Sequence, residues 1–179
     1  MQSRIPRQPA HEAQKQGARH ANHHAGLGAE LTAVVTGARR RALRDADRQI
    51  DTAHLLHSLL ESDAEVRAVF GEGPRTARLL GYLVQRSIGY GLRWQSAVED
   101  SGAVPVVAEA AGFSPLAAAG MTYARERAVH RGGAPGGVDL LAAIIVDPQA
   151  RAVEVLERAG IDSRALLARL ETWTGDPAP

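Results

Sequence analysis

The feature that most constrains the fold is an internal similarity between two parts of the chain. The segment RRRALRDADRQIDTAHLLHSLL, from residue 39, aligns with RERAVHRGGAPGGVDLLAAII, from residue 125, with one residue deleted in the second loop. Leu27 aligns with Phe113, an offset of 86 residues. Each copy reads as a helix, a polar loop, a very apolar helix, a short helix and a last helix. This repeat predicts an all-α fold of two tandem four-helix repeats packed with pseudo-twofold symmetry.

The hydrophobic pattern places the helices of each copy. Apolar residues recur at spacings of three and four from Leu27 to Leu43, which predicts an amphipathic helix that ends at the polar stretch DADRQID. The second helices, AHLLHSLLES and VDLLAAIIVD, are apolar nearly all round, which is typical of buried helices. Ser114 followed by Pro115 predicts a capped helix start, and Gly160 predicts a helix end.

The pattern divides the chain into a domain and two tails. The predicted double-repeat domain covers residues 26–173, with repeat one at 26–88, a connector at 89–112 and repeat two at 113–173. A short helix is expected near residues 106–111 of the connector. Residues 1–25 are polar and without periodicity, which predicts a disordered tail, and residues 174–179 form a C-terminal tail. The first tail holds His11, His20, His23 and His24, which predict at most an adventitious affinity for metal.

Composition narrows the classes of function. Aromatic residues are only 4% of the chain, so the core has to come from Leu, Val, Ile and Ala, which suits helices. The absence of cysteine excludes disulfides and thiolate metal sites. A net charge of +1 argues against bulk binding of nucleic acid. No apolar run or signal sequence stands out, so we expect a cytoplasmic protein without a membrane segment.

Two histidines raise the question of a metal site. His54 and His57 are three residues apart on a predicted helix, a spacing that can put two imidazoles on one face. No third ligand such as that of an H-E-x-x-H motif accompanies them. We therefore interpret His54 as a packing or capping residue, Thr52 as the N-cap and His57 as a partly exposed neighbour. The sequence therefore favours neither a metal site nor a cofactor, and a His-dependent metalloenzyme that uses His54 is kept as a second alternative.

The charged residues show no catalytic arrangement. Asp139 is expected at a helix start, Asp147 is expected to begin the next helix with Pro148, and Glu126 has no evident partner. We find no nucleophile, base and acid at catalytic spacing and expect no enzymatic activity.

A cluster of arginines leaves one alternative function open. The segment Arg39–Arg44 carries four arginines, of which three are consecutive and therefore spread around the helix. A solvated helix face is the favoured interpretation. The alternative is a small nucleic-acid-binding regulator that uses this helix.

The order of these motifs resembles the N-terminal domain of Clp unfoldases of the ClpA/ClpC type. In that family the first helix of each copy starts with Phe-Thr/Ser-Pro and the second with Gly-Thr-Glu-His-Ile-Leu-Leu. The corresponding segments here are LGAEL and FSPLA for the first helices, and IDTAHLLHSLL and GGVDLLAAII for the second. VEVLERAGID, at 153–162, looks like the family segment before the last helix. The resemblance covers about residues 27–173.

The resemblance implies a non-catalytic protein- or peptide-binding module, since the family domain receives substrates and adaptors. The implied partners are Clp unfoldase and protease components, substrate or adaptor peptides, and a cyclic peptide ligand. GEGPRTA lacks the Gly-Lys-Ser/Thr ending of a phosphate-binding loop. We therefore expect a stand-alone domain without an ATPase module, acting as a decoy or adaptor for the Clp protease system or for a peptide-like antibiotic.

Some family members read phosphoarginine, with a Thr and basic residues on the phosphate and a Glu on the guanidinium. The two Glu positions are Ala53 and Val138 in this sequence, and the two Thr positions are Gly28 and Ser114. Without either carboxylate a buried guanidinium lacks its charge-assisted partner, so this chemistry is expected to be lost.

The family also binds cyclic peptide antibiotics around the phenylalanines of its first helices. Phe113 is present in the second copy, and Leu27 takes the place of Phe in the first. The resemblance therefore implies a ligand- or peptide-binding surface around Leu27, Phe113, Ser114 and Met121.

Overall fold

The computed structural model describes residues 27–87, residue 99 and residues 112–174. These residues contain helices but no β-strand, so the expected all-α class is confirmed. The helices are α1 (Ala29–Arg44), α2 (Thr52–Ser62), α3 (Ala64–Phe70), α4 (Pro74–Ser87), α5 (Pro115–His130), α6 (Gly137–Ile145), α7 (Arg151–Arg158) and α8 (Ser163–Glu171). None of the described helices combines the length and the hydropathy that a membrane crossing requires. The predicted N-terminal tail and the helix expected at 106–111 lie outside the described residues.

The two very apolar helices form the centre of the molecule. Residues 52–60 of α2 and every residue of α6 are buried. Helix α1 packs on α2, α5 packs on α6, and α2 contacts α6 and α7 of the other half. Leu55, Leu59 and Leu141 are each fully buried, and burial of such a side chain stabilises the fold by about 1.5–3 kcal/mol. Apolar residues on all sides are what this central position requires.

Local signals set most of the helix ends. The Ser114 hydroxyl accepts a hydrogen bond from the Ala117 amide at 3.1 Å, and Pro115 is the first residue of α5, as predicted. The Asp162 carboxylate caps α8 by accepting from the amide of residue 165 at 3.0 Å. Gly160 follows α7 with φ 77°. Helix α7 itself begins only at Arg151, later than expected from the Asp147–Pro148 pair.

The cap of α2 differs from the expectation. Asp51, not Thr52, is the N-cap: its carboxylate accepts from the His54 amide at 2.8 Å. The His54 ring accepts in return from the Asp51 amide at 3.1 Å, which completes a capping box. Thr52 is therefore the first helical residue, and its hydroxyl is released for contacts outside its own helix.

A short backbone pairing joins the two halves beside this cap. The Ile50 amide donates to the Gly112 carbonyl at 2.6 Å, and the Ser114 amide donates to the Ile50 carbonyl at 2.8 Å. The loop before α2 and the segment before α5 thus satisfy each other's backbone hydrogen-bonding groups just before each of them continues into its helix.

Three helices end with the same backbone motif but with different residues. After α1, α5 and α7 the chain adopts positive φ at Ala46 (58°), Gly132 (76°) and Gly160 (77°). In α1 the Asp47 amide donates to the Ala42 carbonyl at 2.9 Å, the six-to-one bond of a Schellman motif. Glycine adopts this conformation without steric cost, whereas alanine does not.

We predict that Ala46→Gly stabilises the protein by about 0.5–1 kcal/mol, because it removes the left-handed strain at the end of α1. The same exchange at exposed Ala33, inside α1, is the control and should cost about 0.8–1 kcal/mol. Urea unfolding of both variants measures the difference. Destabilisation by Ala46→Gly would contradict the strain argument.

Close packing at the start of α6 requires glycine. A Cβ added at Gly137 would overlap the Asp63 carboxylate and lie 3.1 Å from Val66 of α3. Asp63 cannot easily turn away, because its carboxylate caps α3 by accepting from the Val66 amide at 2.9 Å. The contact between α3 and α6 therefore depends on the missing side chain.

We predict that Gly137→Ala destabilises the protein by about 1–3 kcal/mol through overpacking. Gly81→Ala is the control, since a Cβ there meets nothing within 4 Å, and this exchange within α4 should stabilise by about 0.5–1 kcal/mol. Thermal or urea unfolding compares the two. Equal changes in stability at both positions would show that the contact between α3 and α6 has room for a methyl group at residue 137.

Candidate functional site

A network of buried polar groups lies between the two halves, centred on Asp51. This residue is 1% exposed. Besides capping α2, its carboxylate accepts hydrogen bonds from Arg86 of α4 and, at 2.8 Å, from Arg151 of α7. Burial alone would raise the pKa of Asp51, but the hydrogen bond from His54 and the charges of His54 and Arg86 hold it well below its ordinary value. A buried carboxylate thus stays ionised and binds three helices together.

Glu99 extends this network to two helix starts. Its carboxylate accepts from the amides of Thr52 at 2.9 Å and Arg151 at 2.7 Å, the first residues of α2 and α7. It also accepts from the hydroxyls of Thr52 and Ser114. The Thr52 hydroxyl in turn accepts from the Ala152 amide at 3.0 Å. A carboxylate at two helix N-termini satisfies amides that have no partner within the helices.

His54 connects the network to the loop after α1. His54 is buried and is the third residue of the capping box of α2, the position that a packing or capping residue would take. Its Nδ1 lies 2.9 Å from an Asp51 oxygen, and its Nε2 lies 3.4 Å from Asp45 Oδ2 and 3.3 Å from Asp47 Oδ2. Burial by itself would lower the pKa of His54, but the carboxylates of Asp47 and Asp51 raise it above its usual value. Sequence reasoning missed Asp45 and Asp47, which it treated only as helix breakers.

His57 is 4% exposed, so the expectation of a partly exposed side chain is wrong. Its neighbours are not the acids of the loop after α1. His57 Nε2 lies 3.5 Å from a Glu61 carboxylate oxygen, and Glu61 also pairs with Arg41. Burial and the charge of Arg41 lower the pKa of His57 to about 4. The two histidines therefore do not share a set of partners.

We predict that His57 makes the fold sensitive to acid. Its pKa is about 4 in the folded chain and about 6.5 when free, so between these pH values the unfolded state binds more protons. The free energy of unfolding therefore falls as pH drops from 6.5 to 4, and His57 contributes up to about 3 kcal/mol of that loss.

Urea unfolding of the wild type and His57→Gln over this pH range tests the prediction. The wild type should lose more stability on acidification than the variant, since only the wild type carries this proton-binding difference. Parallel pH profiles would show that His57 is not the group concerned.

The residues expected at the binding surface are mostly inside. Phe113, Ser114 and Met121 are 4%, 1% and 5% exposed, and Leu27 alone is half-buried. The Ser114 hydroxyl is engaged as a cap and by Glu99. The structure brings Phe113 beside Ile50 at the backbone pairing. A ligand-binding role for these residues stays a prediction. Of the four, Leu27 has the side chain that a ligand could reach most easily.

The two positions that correspond to the Glu of the Clp domains are occupied here by buried apolar residues. Ala53 is fully buried and Val138 is 5% exposed, so no carboxylate is available at either position. Gly28 is exposed and carries no hydroxyl.

The remaining charged candidates lie in separate local interactions. Arg41 is buried and pairs with Glu61, so the consecutive arginines of α1 do not face one groove. Asp139 is fully buried, where it accepts from the Gly136 amide at 3.0 Å and pairs with Arg131. The Asp147 carboxylate accepts from the amide two residues on, ahead of α7. Glu126 is exposed on α5.

An open groove of about 660 Å³ lies where α6 ends beside the start of α8. Its apolar lining consists of Ile145, Val146, Pro148, Ile161 and Leu167. Charged residues line it as well, namely Glu157, Asp162 and Arg164. Val146 is 47% exposed at the end of this apolar segment. Sequence reasoning did not predict this groove, and the continuation of the apolar run past the end of α6 is the signal that could have indicated it.

Comparison of the chain with models of known protein families finds no match, and comparison with curated proteins finds no relative. The function of the protein therefore has to be inferred from the groove, the buried network and the order of the helices.

Proposed function

We propose that the protein is a non-catalytic protein- or peptide-binding module similar to the substrate- and adaptor-receiving domain of Clp unfoldases. The observation that carries the proposal is the groove between α6 and α8. Its volume of about 660 Å³ falls in the usual range of ligand pockets, and apolar side chains with a few charged groups are the usual lining of such sites.

The order of the helices supports the family resemblance. Each half contributes four helices to the described part of the chain, and α1 and α5 both contain 16 residues and start 86 residues apart. The left-handed residues after them, Ala46 and Gly132, are separated by the same 86 positions. We infer from this correspondence that the halves are two repeats related by a pseudo-twofold axis, with α2 and α6 at their shared centre.

The groove favours an extended peptide segment with one apolar anchor and a basic neighbour. Val146, Ile161 and Leu167 would contact the anchor, since all three are at least partly accessible. Two acids, Glu157 and Asp162, outnumber the one base, Arg164, along the lining. Charge complementarity therefore selects a basic residue beside the anchor. Unfolded substrate segments and adaptor peptides can present such a pattern.

The proposed partners are Clp unfoldase and protease components, their substrate or adaptor peptides, or a cyclic peptide ligand, in the cytoplasm. A domain that binds the same segments as the unfoldase would act as an adaptor or as a decoy. Phosphoarginine is not the proposed ligand, because Ala53 and Val138 provide no carboxylate for its guanidinium.

The test is a binding assay with short labelled peptides that carry one Leu flanked by Arg, by Gly or by Glu. We expect the Arg-flanked peptide to bind most tightly and Val146→Glu to weaken it by about tenfold or more, since a carboxylate replaces apolar contact area. The matched control is Val129→Glu, at a valine that is 74% exposed outside the groove. Fluorescence anisotropy reports the affinities.

Equal loss in both valine variants, or no preference among the peptides, would contradict binding in this groove. A short DNA duplex serves as a further ligand. Tight duplex binding with a steep dependence on salt would favour the nucleic-acid alternative instead.

A further inference from the structure

We propose that Asp45, Asp47 and His54 form a binding site for a divalent transition-metal cation, with zinc as the best fit. This site is independent of the peptide groove and shares no residue with it. It is assembled from the loop that follows α1 and from the first turn of α2.

The separations of the ligand atoms suit a metal ion. His54 Nε2 lies 3.4 Å from Asp45 Oδ2 and 3.3 Å from Asp47 Oδ2, and one ligand atom from each residue falls within 4.8 Å of the others. Ligand atoms about 2.0–2.2 Å from a tetrahedral zinc ion lie about 3.3–3.6 Å from one another. One imidazole and two carboxylates are ligands that zinc accepts in proteins.

Two of the three residues, Asp45 and His54, direct atoms without a hydrogen bond at this place. The side chain of Asp45 is 7% exposed, and neither of its oxygens has a hydrogen-bond partner. His54 Nε2 is likewise buried without one. Buried polar atoms are nearly always hydrogen-bonded, whereas these atoms of Asp45 and His54 only face each other at 3.4 Å. A ligand held between them would satisfy both.

Asp51 is positioned to support His54 as a ligand. In the structure His54 Nδ1 accepts from the Asp51 amide, and Asp51 Oδ1 lies 2.9 Å from the same nitrogen. When the ring proton moves to Nδ1, this oxygen can accept it in place of the capping bond and leave Nε2 free for a metal. This carboxylate–histidine pair is the usual support behind a metal-bound imidazole. Arg86 donates to Asp47 Oδ2 at 3.1 Å, so Asp47 can use its other oxygen or share this one.

Charge and access also suit a dication. Among the residues that the structure describes, the connected network holds four carboxylates, those of Asp45, Asp47, Asp51 and Glu99, and the guanidinium groups of Arg86 and Arg151. When a metal ion replaces the Nε2 proton the imidazole is neutral, and these groups then sum to two negative charges, which a divalent cation balances. The side chain of Asp47 is 37% exposed, so a water molecule can reach the fourth coordination position.

The test uses the full chain in a background that removes the tail histidines, with His11→Asn, His20→Asn, His23→Asn and His24→Asn. Zinc titration calorimetry should show about one site per chain in this background. Asp45→Asn and His54→Gln should each weaken zinc binding by about 100-fold or more. His130→Gln, at an exposed histidine of α5, is the control and should bind as the background does.

Both site variants should keep the native fold. Gln is a normal residue at the third position of a capping box, so His54→Gln keeps the partner of the Asp51 amide. Asp45→Asn removes a charge without removing any hydrogen bond, so the metal-free variant should be at least as stable as the background. Bound Co²⁺ should give the visible absorption of a tetrahedral site in the background protein and not in Asp45→Asn.

Three outcomes would overturn the proposal. They are absence of a zinc site in the background protein, retention of that site in Asp45→Asn, and loss of stability in metal-free Asp45→Asn. The last result would show that Asp45 acts as a counter-ion to a protonated His54 and not as a metal ligand.

Discussion

The arrangement of the helices depends on one buried carboxylate. Asp51 is 1% exposed, and a charge in such a place is tolerated only when hydrogen bonds and opposite charges replace water. Its main partners come from distant positions, Arg86 at 35 residues and Arg151 at 100 residues along the chain. Helices α2, α4 and α7 can therefore satisfy this carboxylate only in their native positions. The apolar core stabilises the fold, and the Asp51 interactions restrict the ways in which that core can assemble.

Glu99 adds a second restriction of the same kind. By accepting from the first amides of α2 and α7 it fixes the starts of two helices that belong to different halves. Thr52 and Ser114 direct their hydroxyls to the same carboxylate. The hydroxyls and helix-start amides that could have bound a ligand at the boundary between the halves are thus already hydrogen-bonded within the protein. The groove at α6 and α8, which lies outside this network, is the more accessible surface for a partner.

Sequence reasoning succeeded where the deciding interaction is local. The Ser114–Pro115 start of α5 and the Gly160 end of α7 follow from single turns of backbone. It placed the N-cap of α2 at Thr52, one residue too late. Asp and Thr both cap helices, and the reciprocal hydrogen bonds between Asp51 and His54 make Asp51 the cap. The burial of His57 and the gathering of Asp45, Asp47 and His54 depend on packing between elements, which spacing along the chain does not reveal. Glu99 was missed for the same reason, since its partners lie up to 52 residues away.

Helix α7 links the two proposed sites without merging them. Arg151, its first residue, donates to Asp51 in the buried network, whereas Glu157, near its end, lines the groove. Six residues of helix separate these positions by about 9 Å. The metal ligands, by contrast, lie on the loop after α1 and on α2, and none of them lines the groove. Substitutions at separate positions without shared partners act nearly independently. The peptide site and the metal site can therefore be judged separately, because failure of one leaves the physical argument for the other unchanged.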